Sequence, residues 1–205
     1  MAMTDKTYEI GKYPPVNQIP LLIGRASALQ SYAQLELSLA ILFSVLLGTT
    51  HDLGGLVFFR ITNTHARNRI LDDLVTKRHG VSYNKFWKSA ISLVRALDQR
   101  RNEIVHWHMI NNINLDLEEK EASSLSLSPP TGWAIGSSAK LSELDLTEFI
   151  KKCDFVSRLI TMFMLVVSGQ MPAAEIQGIW HDIFQQQVVY PSPDSHPLSP
   201  NYKAP

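Results

Sequence analysis

Apolar residues near the start of the chain recur at intervals of three and four positions, the spacing of one face of an α-helix. This pattern continues to about residue 47, where Gly48 follows as a C-cap candidate. The same periodicity returns further along the chain. It predicts helices over about residues 22–47, 53–61, 64–79, 147–167 and 172–184. A further helix is predicted to start at residue 82 and to run into the stretch 98–109.

Residues with capping chemistry mark the starts of several predicted helices. Asn63 or Thr64 precedes the third helix, and Ser82 starts the fourth. Thr147 is predicted to cap the strongly apolar fifth helix, and Pro172 opens the sixth because proline fits a first helical turn. The helical boundaries are therefore predicted from side-chain chemistry as well as from periodicity.

Residues 111–140 break the helical pattern. Polar and apolar residues alternate over 111–117 and over 124–128, which is the period of a β-strand, with a charged turn at 118–121 between them. We interpret this segment as a β-hairpin or a loop. The predicted fold is an all-α helical bundle of five to six helices, with a small β-hairpin or loop insertion at about 111–140.

The two ends of the chain are rich in proline and lack a sustained period. Residues 1–20 are predicted to be an extended N-terminal arm, and residues 188–205 a Pro-rich C-terminal tail that is either disordered or draped over the fold. Between them, residues 21–187 are predicted to form a single helical domain.

Composition excludes some classes of function. Lysine plus arginine and aspartate plus glutamate number 19 each, so the chain has no global basic field to hold long nucleic acid. The single cysteine, Cys153, cannot form an intrachain disulfide and favours a reducing, cytoplasmic location. The sequence shows neither an apolar signal core nor an unbroken apolar run of membrane-spanning length, so no membrane partner is expected.

The chemistry-bearing residues concentrate in the stretch 98–109. Arg101 supplies a permanent cation, Asn102 a neutral hydrogen-bonding group, and His106 a group that exchanges a proton near neutral pH. A phosphodiester site that works without a metal needs these three functions. The other histidines have no metal-ligand spacing and no Gly-rich phosphate loop is present, so neither a metal nor a cofactor is predicted.

Helix geometry does not bring Arg101 and His106 together. With Leu97 as the centre of the apolar face, Arg101 lies about 40° and His106 about 180° from it, so the two diverge by roughly 140°. Three arrangements remain open: a frayed or kinked helix near Val105, side chains that reach around to a shared groove, or a twofold dimer. The alternative to a functional site is an ordinary solvated helix end, where basic residues are favourable because the C-terminus of a helix carries a partial negative charge.

The segment 101–106 resembles the motif of HEPN domains, an arginine followed by a polar residue and, after four to six intervening positions, a histidine. The match to an all-helical chain covers roughly residues 21–185. Two other registers, Arg100 to His106 and Arg101 to His108, also fit the spacing.

The resemblance implies a metal-independent endoribonuclease that works as a homodimer, with the two motifs facing each other. Arg101 would then hold the scissile phosphate, His106 would act as general acid or base, and Asn102 would orient one of these groups. Glu36, on the first helix, is a candidate to pair with Arg101. The attack by a 2′-hydroxyl implies that the substrate is RNA.

Such domains commonly serve as toxins or in phage defence, so the resemblance also implies an antitoxin or another partner protein. A non-catalytic HEPN-like module that binds RNA, a nucleotide or a protein is the alternative function. The third possibility is an unrelated helical protein in which the motif occurs by accident.

Overall fold

The computed structural model describes residues 18–112, 124–130, 140–171 and 174–203. Within these residues the chain is an all-α bundle with one small antiparallel hairpin, which confirms the predicted fold class. In chain order the elements are α1 (Ile19–Leu47), α2 (His51–Arg60), α3 (Thr64–His79), α4 (Asn84–His106), β1 (His108–Asn112), β2 (Ser124–Ser128), α5 (Glu143–Val167) and α6 (Ala174–Ile183).

The two longest helices, α1 and α5, pack along each other in the middle of the bundle. Within this contact the buried hydroxyls of Ser38 and Ser157 share a hydrogen bond of 2.7 Å. By length and composition α1 could also cross a bilayer, but 50% of that window is buried in the fold. Buried core helices of globular proteins have the same composition.

An aromatic cluster joins α4 and α5 to the residue that follows α6. The ring of Phe163 lies 5.0 Å from that of Phe86 and 5.3 Å from that of Phe184, measured between centroids. Trp87 stacks on Phe163 at 5.9 Å, and all four side chains are almost completely buried. Their large apolar area makes this cluster a main contributor to stability and fixes α4 against α5.

The helix starts confirm one predicted cap and correct two others. The side chain of Asn63 caps α3, as predicted. The fourth helix begins at Asn84 rather than Ser82. The fifth begins at Glu143, because Ser142 and Asp145 form a reciprocal capping box, so the prediction of Thr147 as its cap was wrong.

The predicted hairpin is present, but its first strand begins earlier than the alternation suggested. β1 starts at His108, directly after Trp107 ends α4, and Met109 pairs with Leu127 of β2. β2 matches the predicted 124–128. Leu127 is fully buried and also pairs with Leu141, which ties the hairpin to the chain before α5. The predicted turn at 118–121 lies outside the described residues.

The C-terminal tail packs against the bundle, so the draped alternative is correct for its described part. The ring of Tyr190 lies 5.2 Å from that of Phe155, and the ring of His196 lies 5.8 Å from both Phe155 and Trp180. These aromatic contacts hold the tail over α5 and α6. Most of the predicted N-terminal arm lies outside the described residues, and α1 already begins at Ile19.

Candidate functional site

The motif residues lie in the last two turns of α4, which is helical without interruption through His106. The alternative of a helix that frays near Val105 is therefore wrong. Arg101 keeps 27% of its side chain exposed, and Asn102 and His106 are exposed. On a continuous helix Arg101 and His106 point about 140° apart, so a single chain does not direct both at one phosphate.

Three neighbours fix the guanidinium of Arg101. It lies 5.0 Å above the centroid of the Tyr32 ring, and its Nη2 is 3.8 Å from Oδ1 of Asp98. Its Nη1 donates a hydrogen bond of 2.9 Å to Oδ1 of Asn102. A cation placed over an aromatic face and beside a carboxylate loses little further freedom when it binds an anion. The arrangement suits an anion-binding group that is positioned in advance.

Tyr32 and Asp98 form the support of this arginine. Tyr32 is buried, and its hydroxyl donates a hydrogen bond of 2.7 Å to Oδ1 of Asp98. Burial, and next the hydrogen bond to Asp98, raises the pKa of Tyr32 well above its usual value, so the hydroxyl stays a donor. Sequence reasoning missed both residues. The three-residue spacing from Asp98 to Arg101 was an available signal for an ion pair on a helix.

Glu36 does not pair with Arg101, which corrects the role suggested for it. Its Oε1 lies 2.6 Å from Nη2 of Arg67, whose side chain is only 7% exposed. Arg67 also lies 5.0 Å from the centroid of the Phe58 ring. A guanidinium this deeply buried needs a carboxylate, and Glu36 supplies it. Glu36 therefore joins α1 to α3.

The alternative registers are less well supported by local geometry. Arg100 is exposed and makes an ion pair of 2.7 Å with Glu103 one turn further along α4, so its charge is more closely compensated than that of Arg101, which lies 3.8 Å from Asp98. His108 lies in β1, beyond the end of the helix, and is exposed. Arg101 also contacts an aromatic ring from another helix, that of Tyr32 on α1.

A second cation from α1 reaches the end of α4. Nη2 of Arg25 donates a hydrogen bond of 2.6 Å to the carbonyl oxygen of Val105, the residue before His106. This contact satisfies one of the carbonyl groups that a helix leaves unpaired at its C-terminus. Arg25 is 80 positions away along the chain, so nothing local in the sequence pointed to it.

The chain matches no protein-family model, no curated protein and no solved structure. The likeness to HEPN domains therefore depends on the motif and its placement. Within the described residues, no group of three or more His, Cys, Asp or Glu side chains is arranged to hold a metal ion. What the end of α4 offers chemically is a fixed cation, an amide and an imidazole.

Proposed function

We propose that this protein is a metal-independent endoribonuclease of HEPN type, active as a homodimer. The observation that carries the proposal is the state of Arg101: its guanidinium is fixed by Tyr32 and Asp98 yet keeps 27% of its side chain exposed. On the same helix end, the side chain of His106 is exposed. A fixed cation beside solvent is the group expected to bind a phosphate and stabilise the charge gained during transfer.

The proposed reaction is attack of a ribose 2′-hydroxyl on the adjacent phosphorus atom. The guanidinium of Arg101 binds the non-bridging oxygens, which gain negative charge in the transition state. His106 accepts the 2′-hydroxyl proton or donates a proton to the departing 5′-oxygen. Asn102 lies about 40° from His106 around the helix, one turn earlier, and orients the phosphate or the ribose. The products are a 2′,3′-cyclic phosphate and a 5′-hydroxyl end.

The proposal uses two copies because of the directions of the two side chains. Arg101 points along the apolar side of α4, towards Tyr32 on α1. His106 points to the opposite, solvent side of the same helix. A twofold axis can place Arg101 of one copy opposite His106 of the other and so build two equivalent composite sites.

Mixing two inactive variants tests this arrangement. Arg101→Ala and His106→Ala are each expected to lose cleavage of a short single-stranded RNA. When equal amounts are unfolded and refolded together, half of the dimers carry one chain of each kind. Each such dimer has one intact composite site of two, so about a quarter of the wild-type activity should return.

Several controls make the result decisive. Arg95→Ala removes an exposed arginine from the same helix and should leave cleavage unchanged. His108→Ala separates the two registers of the histidine. The 2′-deoxy analogue should not be cut, and cleavage should persist in EDTA. Full activity in both Arg101→Ala and His106→Ala proteins would contradict the ribonuclease. Loss in each variant without recovery on mixing would instead place both groups in one chain.

The biological setting extends this proposal. A toxin or phage-defence ribonuclease should slow growth when it is expressed, and Arg101→Ala should relieve the effect; a partner protein acting as antitoxin should block the wild-type activity.

The non-catalytic alternative has one observation in its favour. Asp98 and Asn102 already engage the guanidinium of Arg101, as they would in a structural role. A protein of this kind would bind the same RNA without forming products.

A further inference from the structure

The side of α1 that supports Arg101 carries a second arginine. Tyr32 and Arg25 are seven positions apart on α1, which places them within about 20° of each other around the helix. Tyr32 contacts Arg101 of α4, and Arg25 contacts Val105, one turn nearer the end of α4. Both guanidiniums therefore lie along one line of contact between the two helices. We call this line, formed by Arg25, Tyr32, Arg101 and Val105, the α1–α4 seam.

The spacing along the α1–α4 seam suits two anions rather than one. The seven residues of α1 rise about 10 Å along that helix, and the four residues of α4 rise about 6 Å. The contacts of the two guanidiniums are therefore separated by about 6–10 Å along the seam. RNA carries one phosphate for each nucleotide, so a single strand that follows the seam presents successive phosphates to the two cations.

Within the described residues, the charge of Arg25 has no carboxylate partner. Its hydrogen bond of 2.6 Å goes to a neutral carbonyl group, whereas Arg67 and Arg100 each have a carboxylate oxygen within 2.7 Å. A guanidinium has five N–H donors, and the carbonyl of Val105 occupies one of those of Arg25. A part-buried cation with further donors and no counter-charge gains more from binding an anion than a cation that is already paired.

A purely structural role for Arg25 has a parallel elsewhere in the fold. Nε of Arg78 donates a hydrogen bond of 2.8 Å to the carbonyl oxygen of Leu46, at the C-terminal end of α1. Arg78 therefore also ties one helix to the end of another. That end of α1 lies about 30 Å from Arg25, so Arg78 makes the same kind of contact without Arg101 beside it. A comparison of the two arginines separates a structural tie from a phosphate contact.

We propose that Arg25 binds the phosphate next to the scissile one, so the substrate class is a single-stranded RNA with at least one further phosphate beside the cleaved link. This rests on the proposed ribonuclease function, in which Arg101 binds the scissile phosphate. Arg25 and Arg101 belong to the same chain, so the arrangement holds whichever chain supplies His106. Arg25 touches no reacting atom; it is a binding residue that fixes the position of the strand along the α1–α4 seam.

Removal of one phosphate charge at a time tests the proposal. A short 2′-O-methyl RNA with a single unmodified ribose has one link that the proposed reaction can cut. Two further substrates replace the phosphate on the 5′ side or on the 3′ side of that link by an uncharged methylphosphonate. The wild-type kcat/KM should fall about tenfold for one of these two substrates, because one charge-assisted hydrogen bond is lost.

Arg25→Gln should remove the sensitivity to that phosphate. Its kcat/KM for the intact substrate should fall about tenfold, and the methylphosphonate should cause little further loss because the contact is already absent. Arg25→Lys keeps the charge and should retain most of the sensitivity. Arg78→Gln is the matched control: it also removes one arginine and one hydrogen bond to a helix end, and it should respond to the methylphosphonates as the wild type does.

Two results would overturn the role of Arg25. One is a wild type whose kcat/KM is the same for all three substrates. The other is an Arg25→Gln protein that loses activity on all three by one factor and keeps the wild-type ratios between them, which is the pattern of a purely structural role. If cleavage still depends on Arg101 and His106 in either case, the proposed function stands without Arg25. A wild type that does not cut the intact substrate would instead contradict the ribonuclease itself, and with it the role of Arg25.

Discussion

Two adjacent glycines in α2 allow the effect of close packing between α2 and α1 on the free energy of unfolding to be measured. A Cβ added to Gly54 would lie 2.1 Å from Oγ, 2.7 Å from Cβ and 2.8 Å from Cα of Ser44. Because Cα belongs to the backbone, rotation of the Ser44 side chain cannot relieve the overlap, and α2 must move away from α1. A Cβ added to Gly55 meets nothing within 4 Å. The two positions therefore differ in packing but share the helix.

The two changes to alanine should have opposite effects on stability. Alanine in place of an interior helical glycine stabilises by about 0.5–1 kcal/mol, and this gain applies to both positions. Overpacking of a close contact costs about 1–3 kcal/mol, and the backbone contact places Gly54→Ala towards the upper end. We expect Gly55→Ala to raise the free energy of unfolding by up to about 1 kcal/mol, and Gly54→Ala to lower it by about 1–2 kcal/mol.

Urea unfolding followed by circular dichroism measures both variants on one scale. The difference between them isolates the contact with Ser44, because the change in helix propensity cancels. Addition of Ser44→Gly to Gly54→Ala removes two of the three overlapping atoms and should restore part of the loss. Equal shifts of the two midpoints in the same direction would show that α2 does not pack closely on α1.

Three further predictions concern single side chains. Burial raises the pKa of the Cys153 thiol to about 12, so it should not react with a thiol reagent near neutral pH until the protein is unfolded; rapid reaction of the native protein would contradict this. Tyr32→Phe removes the hydrogen bond to Asp98 and should lower the free energy of unfolding by about 1 kcal/mol; because Tyr32 and Asp98 support Arg101, the proposed RNA cleavage should also weaken. Hydrogen bonds from Ser142 lower the pKa of Asp145 below its ordinary 3.8, so their contribution is present above that pH and lost as the pH falls through the folded value. Urea titrations at several pH values should show a weaker acid dependence for Asp145→Asn than for the wild type.

Local sequence signals predicted most of the helices correctly, because a helix and its caps depend mainly on residues that are close together in the sequence. Gly48 ends α1 in the left-handed conformation, with φ at 69°, and Asn63 caps α3. The start of α5 was misplaced although its signal was present, a serine followed three residues later by an acidic residue. Thr147 has a capping side chain, but its hydroxyl bonds the carbonyl of Glu143 inside the helix.

In the candidate site, too, the features that depend on local sequence were predicted and those that depend on long-range packing were missed. The divergence of Arg101 and His106 followed from helix periodicity, and it holds because α4 continues through His106. Among the neighbours of Arg101, Tyr32 could not be predicted because it lies on another helix, whereas Asp98 lies on α4 at the spacing of a helical ion pair. Tyr32 and Asp98 are 66 positions apart, and only the packing of α1 on α4 brings them together. The partner of Glu36 was missed for the same reason.

The ion pair between Glu36 and Arg67 affects how any alanine scan of this protein should be interpreted. Removal of Glu36 would leave a guanidinium that is 7% exposed without a counter-charge, a change that costs about 3 kcal/mol or more. Cells carrying that variant would lose the protein through unfolding and degradation. A growth-based screen for the proposed toxicity would then score Glu36 as required, although its carboxylate has no role in the proposed chemistry.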